Sequence, residues 1–204
     1  MESINKIIIA ILIAGLSTPL LAQDLQQEAF NTSYDLEYYG EYTKAAEAIK
    51  KGYDEKSYEI NMRAGWLHYM AGQNIESQQY YKKAITLKPN SIEAKFGYVY
   101  PTIVLGNMDQ VIAEYKNILK IDPQNTTANY RMGLIYYERK DFQSAYNYFD
   151  KVVNLIPMGY DALLMYAWTN YQLGKAKEAK TLFKKTLLIS PSSESALEGM
   201  SMLK

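Results

Sequence analysis

The chain has no cysteine and a single histidine, His68. Disulfides, thiolate metal sites and cysteine nucleophiles are therefore excluded, and so are clusters of imidazole ligands and most imidazole-dependent catalysis. It has no excess of either charge, with 22 Lys and Arg against 22 Asp and Glu. That balance gives no overall attraction to nucleic acid or to acidic substrates. Glu and Asp are scattered along the 204 residues, and their spacing sets them near Lys, as in Glu178 with nearby Lys175 and Lys177. These charges read as solvated helix faces, and no convergent set of titratable groups of the kind an enzyme needs can be found. No cofactor and no metal are expected.

Long apolar runs are also scarce. The one from Ile7 to Leu16 follows Lys6 and is broken by Ser17-Thr18-Pro19. It is short of the roughly 20 residues a spanning helix needs. Residues 1–22 read as an export signal with cleavage after Ala22, and the alternative is an uncleaved anchor. Leu20 stands where a small residue is preferred, which leaves the exact bond open. The mature protein is expected to be periplasmic or secreted in a Gram-negative bacterium, with no stable membrane span after cleavage.

Proline is rare too, at six residues, but four of them form a ladder: Pro89, Pro123, Pro157 and Pro191, each 34 residues after the last. Each follows an apolar stretch such as Leu119-Lys120-Ile121-Asp122, so the ladder is a helix stop used once per repeat. Aligned on it, repeats start at Tyr58, Ile92, Thr126 and Tyr160. The eighth position is Gly65, Val99, Gly133 and Ala167. The fifteenth is Gly72, Gly106, Lys140 and Gly174, and the twentieth is Ser77, Val111, Ala145 and Ala179. The twenty-fourth is Tyr81, Tyr115, Phe149 and Phe183. Small residues at eight and twenty let two helices approach closely, the aromatic fills the seam to the next repeat, and glycine makes the turn.

This pattern resembles the tetratricopeptide repeat, a 34-residue helix-turn-helix. The resemblance covers about 26 to 193. It implies an all-α, right-handed solenoid of about five repeats. The units are a degenerate first one at 23–57, then 58–91, 92–125, 126–159 and 160–193, followed by a capping helix at 194–204. In the first unit Leu25, Ala29 and Leu36 share one side of a helix, Gly40 and Glu41 turn the chain, and Ala45, Ala46, Ala48 and Ile49 begin a second helix. Ser192 and Ser193 can cap the last helix, whose Ala196, Leu197 and Met200 would cover the open edge of the array. The sequence departs from the family at the fourth position, which holds Asn61, Lys95, Asn129 and Leu163. It departs again at the eleventh, which holds His68, Thr102, Tyr136 and Asn170.

In such arrays the first helix of each repeat lines the concave face. The resemblance places the inward stripe at the fifth, ninth and twelfth positions. Here these are Met62, Trp66 and Tyr69; Phe96, Tyr100 and Ile103; Tyr130, Leu134 and Tyr137; Leu164, Trp168 and Tyr171. Every one is apolar or aromatic, which an exposed groove would not ordinarily be. Two readings stand: packing between adjacent first helices, or anchorage of a ligand, where Trp and Tyr contribute most. The Lys and Asn clamp that some arrays use for acidic C-termini is absent from these positions. Arg63 and Arg131, at the sixth position, could meet a ligand carboxylate or neighbours such as Glu59. Pro101 lies inside a first helix and is expected to kink it, with Gly97 giving room for the bend.

The function implied is non-catalytic binding of a protein or peptide segment in the groove. Glycan or cell-wall binding on the same rings is an alternative, although sugars need more interleaved polar groups. Structural self-association is another. Residues 23–57 carry eight acidic and four basic side chains while 160–204 carry four acidic and six basic, so end-to-end stacking is electrostatically permitted.

Overall fold

The computed structural model describes residues 24–203. The expected export signal lies outside the described residues. All regular structure among the described residues is helical. Helix α1 covers 24–38. Then come α2 (Tyr42–Lys51), α3 (Tyr58–Met70), α4 (Asn74–Leu87), α5 (Ile92–Val104) and α6 (Met108–Ile121). They are followed by α7 (Thr126–Glu138), α8 (Phe142–Leu155), α9 (Tyr160–Gln172), α10 (Ala176–Ile189) and α11 (Glu194–Met202). The described helices form two compact units, divided between Val111 and Ile112. No described helix is long and apolar enough to cross a membrane.

The helix ends follow from local chemistry. Helices α4, α6, α8 and α10 each stop two residues before a proline of the ladder. The ring disfavours the helical conformation in the residue before it and removes a backbone donor. Helices α3, α5, α7 and α11 are opened by a side chain that accepts a backbone N–H three residues on: Ser57 from Ile60, Ser91 from Ala94, Asn125 from Ala128 and Ser193 from Ala196. Helix α9 begins after Gly159 and has no such cap. The turns within pairs pass through the left-handed region at Gly40, Gly72, Gly106 and Gly174, and at Lys140, whose φ is 61°.

In the first unit α1, α2 and α3 close on a core of small side chains, Ala29, Ala45, Ala46 and Ala64, filled out by Ile49 and Leu67. Leu36 packs against this core, whereas Leu25 is exposed. The next seam is filled by Tyr81 of α4. Its ring lies between two glycines: a Cβ would come within 2.9 Å of it at Gly65 and within 2.1 Å at Gly97. Gly97 therefore admits a ring. Helix α5 runs without interruption through the buried Pro101.

The second unit repeats the device. Phe149 lies against Gly133 and Phe183 against Gly199 of α11, at 2.6 and 2.3 Å from the Cβ positions. The terminal helix thus covers its neighbour with Ala196, Gly199 and the half-buried Met200, while Leu197 points to solvent.

The unusual fourth-position residues are buried. The amides of Asn61 and Asn129 hold the preceding inter-repeat loop to its helix. Nδ2 of Asn61 donates to the carbonyls of Glu55 and Ser57, at 3.0 and 2.7 Å, and Nδ2 of Asn129 to those of Pro123 and Asn125, at 3.0 and 2.9 Å.

Candidate interaction surface

The stripe is built by the helical period. On α3, for example, Met62, Trp66 and Tyr69 share a side because positions four and three apart align, while Ile60, Ala64 and Leu67 turn into the core. The same holds for α5, α7 and α9. None of the twelve stripe residues is buried; ten are half-exposed, and Tyr100 and Ile103 are open to solvent at 46% and 44%.

In the first unit the stripe is continuous. The rings of Trp66 and Tyr69 are 6.1 Å apart, and Tyr69 meets Tyr100 across the α3–α5 seam at 5.9 Å. In the second unit Trp168 and Tyr171 are 5.6 Å apart, edge to face. Leu164, Trp168 and Tyr171 rest on the Ala167–Phe183 cluster, and Tyr130, Leu134 and Tyr137 on the Ala145–Phe149 cluster.

The two tryptophans do not stand free, and their surroundings differ. Nε1 of Trp66 donates to Oε1 of Glu37 on α1 at 2.6 Å. Nε1 of Trp168 donates to the hydroxyl of Ser195 on α11 at 2.9 Å, and its ring meets Phe183 at 5.0 Å. Each uses its polar edge inside the protein and leaves ring surface outside.

Glu37 is a residue that sequence reasoning missed. It also accepts from Nη1 of Arg63, while Nε of Arg63 donates to the hydroxyl of Ser33 at 3.0 Å and the guanidinium lies 3.8 Å from the Tyr34 ring centre. Arg63 is buried and committed to Glu37, not to Glu59, which instead pairs with Lys88 at 3.2 Å. Arg131 is exposed. Glu178 has no ion pair among the described residues, contrary to its expected pairing with lysine. His68 is buried, its Nδ1 2.5 Å from Oε1 of Gln73, and stacks on Tyr80 at 5.0 Å. Burial lowers its pKa from the usual 6.5, and nearby Lys50 lowers it further. Tyr166 donates to Asp150 at 2.8 Å, and Lys175 lies 3.8 Å over the Tyr146 ring. Burial is the main reason the Tyr166 hydroxyl holds its proton far above the usual range, with Tyr146 and Asp150 adding to it. Among the described residues no group of three or more acidic or histidine side chains could hold a metal.

Models of the tetratricopeptide repeat match residues 58–91, 127–157 and 161–193. Across these three stretches the chain carries tetratricopeptide repeats. Among solved structures it is similar to a tetratricopeptide repeat protein from Parabacteroides merdae, with 21% identity, 88% of this chain and 72% of that one covered, and a TM-score of 0.75. It is also similar to MamA from Desulfovibrio magneticus, with 17% identity, 84% and 98% covered, and a TM-score of 0.70. A third is YrrB, described as a TPR protein with an unusual peptide-binding site, with 16% identity, 85% and 90% covered, and a TM-score of 0.68. At these identities the likeness is one of fold. No curated protein matches the sequence.

Proposed function

We propose that the protein is a non-catalytic interaction scaffold that holds a segment of another protein against the aromatic stripe of its first helices. One observation carries this reading: twelve apolar or aromatic side chains recur at three positions of four helices, and all twelve remain at least partly in water. Core-filling residues of the same helices are enclosed, so packing alone does not account for the choice of residue on the open side. Exposed apolar surface of this kind is costly unless something covers it. Tyr and Trp are also the side chains that contribute most to interfaces, about 2 kcal/mol or more each at a hot spot.

A polypeptide suits the surface better than a glycan. Both indole N–H groups are already bonded to Glu37 and Ser195. What is left is ring surface with few polar groups, which fits an extended or helical segment with apolar anchors. That YrrB has a peptide-binding site on the same fold is in keeping with this.

The test is a pull-down from the parent cell envelope with the wild type and with Tyr100→Ser plus Ile103→Ser. Both residues are open to solvent, so the helical circular dichroism should be unchanged while a captured protein is lost. An identical set of captured proteins would refute stripe binding. The envelope is chosen because residues 1–22 are proposed to export the chain. N-terminal sequencing of the protein recovered from the periplasm or medium should then begin at Gln23.

A further inference from the structure

The junctions between successive first helices are not all closed in the same way. At two of them a tyrosine at the start of one repeat meets the serine that caps the next. The Tyr58 and Ser91 hydroxyls are 2.7 Å apart, and so are those of Tyr160 and Ser193. At the junction of α7 with α9 the same two positions hold Thr126 and Gly159. A phenol ring and a hydroxymethyl group are both missing there, and an open cleft of about 340 Å³ takes their place. That is within the range of about 300–1,000 Å³ typical of ligand sites.

The lining has a definite chemistry. Ile156 and the face of Tyr130 give an apolar floor, and Ile156 is 45% exposed. Arg131 and Asp161 stand on the rim, one from α7 and one from α9. Neither forms an ion pair with a described residue. Both act on the Tyr130 hydroxyl, whose pKa is raised mainly by burial, is raised further by Asp161 and is lowered by Arg131.

We propose that this cleft is an anchor subsite for one aliphatic side chain in the interior of a partner polypeptide, with Arg131 donating to a main-chain carbonyl and Asp161 accepting a main-chain N–H. It rests on the segment-binding reading above and specifies it. The charge balance selects the ligand. A free carboxylate would gain Arg131 but meet Asp161, and a free amine would gain Asp161 but meet Arg131. A neutral peptide unit presents one acceptor and one donor and uses both. The aliphatic side chain then covers Ile156, which nothing in the protein encloses.

The probe is N-acetyl-leucinamide, titrated into the ¹⁵N-labelled protein and followed by two-dimensional NMR. Shifts should centre on the amides of Thr126, Gly159 and Asp161, with a dissociation constant on the order of millimolar for so small a ligand. N-acetyl-leucine and leucinamide, one charge each, should bind about fivefold more weakly. The cleft can be closed by the solution used at the other two junctions, Thr126→Tyr with Gly159→Ser. Gly159 has an ordinary backbone conformation, with φ −74°, and a Cβ there would lie 3.2 Å from Ile156. That variant should lose the shifts. Arg131→Gln, an exposed substitution that leaves the fold intact, should weaken binding about fivefold and serves if the double variant does not fold. Undiminished shifts in both variants, tighter binding of either charged probe, or no shifts at all would overturn the subsite. The probe reads the cleft with no partner present, so failure here is distinct from failure of segment binding, which the pull-down reports.

Discussion

Tyr81 and Gly97 meet so closely that a Cβ on Gly97 would lie 2.1 Å from the ring. The glycine lets the backbone of α5 approach a ring that is itself 3% exposed, with Gly65 of α3 on its other side. Small and aromatic residues recurring at a 34-residue period thus translate into one ring at each of the seams filled by Tyr81, Phe149 and Phe183.

Gly97→Ala should therefore overpack the α4–α5 seam and destabilise the first unit by about 1–3 kcal/mol. Tyr81→Leu in the same chain should recover part of the loss, because the two changes share one contact. Urea unfolding of the single and double variants measures both.

Lys140 occupies the turn position that glycine holds elsewhere, with φ 61°. A side chain in that conformation costs roughly 1–2 kcal/mol, partly offset by the greater freedom a glycine loses on folding. Lys140→Gly should raise stability by about 0.5–1 kcal/mol. Gly72→Ala, where φ is 76°, should lower it. Thermal unfolding of the two variants should move in opposite directions.

Glu37 is the counter-charge of a buried arginine, their side chains being 23% and 7% exposed. Glu37→Gln leaves the guanidinium enclosed and unbalanced and should cost about 2–4 kcal/mol. Arg63→Met removes the buried charge itself, and Glu37 can relax toward water while keeping Trp66, so its cost should be clearly smaller. Denaturant midpoints of the two variants decide the order.

Burial lowers the folded pKa of His68 below the 6.5 it has when unfolded. Its contribution is therefore fully present above about pH 6.5 and is lost as pH falls toward the folded value, because the unfolded chain takes up the proton first. Wild-type stability should drop between pH 7.5 and 5.5, and His68→Gln should flatten that slope. Urea midpoints at the two pH values test the sign.

The ladder of prolines and the turn glycines made the helix pairs legible, since each acts through its own backbone. The stripe was legible as well, because residues spaced along one helix must share a face. The ties across helices were not. Arg63 lies 26 residues from Glu37, and the first repeat, 23–57, lacks the proline that would set its register, whereas Glu59 is on the same helix as Arg63. The hydrogen bonds of the tryptophans to Glu37 and Ser195 were hidden for the same reason. Leu197 was expected to cover the terminal edge, yet Gly199 does so, because Phe183 needs a place without a side chain. The cleft at Thr126 and Gly159 is an absence of two side chains, which shows only against the closed junctions at Tyr58 and Tyr160.

The claim that the stripe holds a polypeptide is tested most directly by a photo-reactive phenylalanine analogue in place of Tyr100, with the same analogue at the exposed Gln79 of α4 as control. Irradiated in the parent cell, the Tyr100 position should give a discrete cross-linked product, identified by mass spectrometry as another polypeptide, and the Gln79 position should not. No polypeptide adduct at Tyr100, or the same adducts at both positions, would contradict the account.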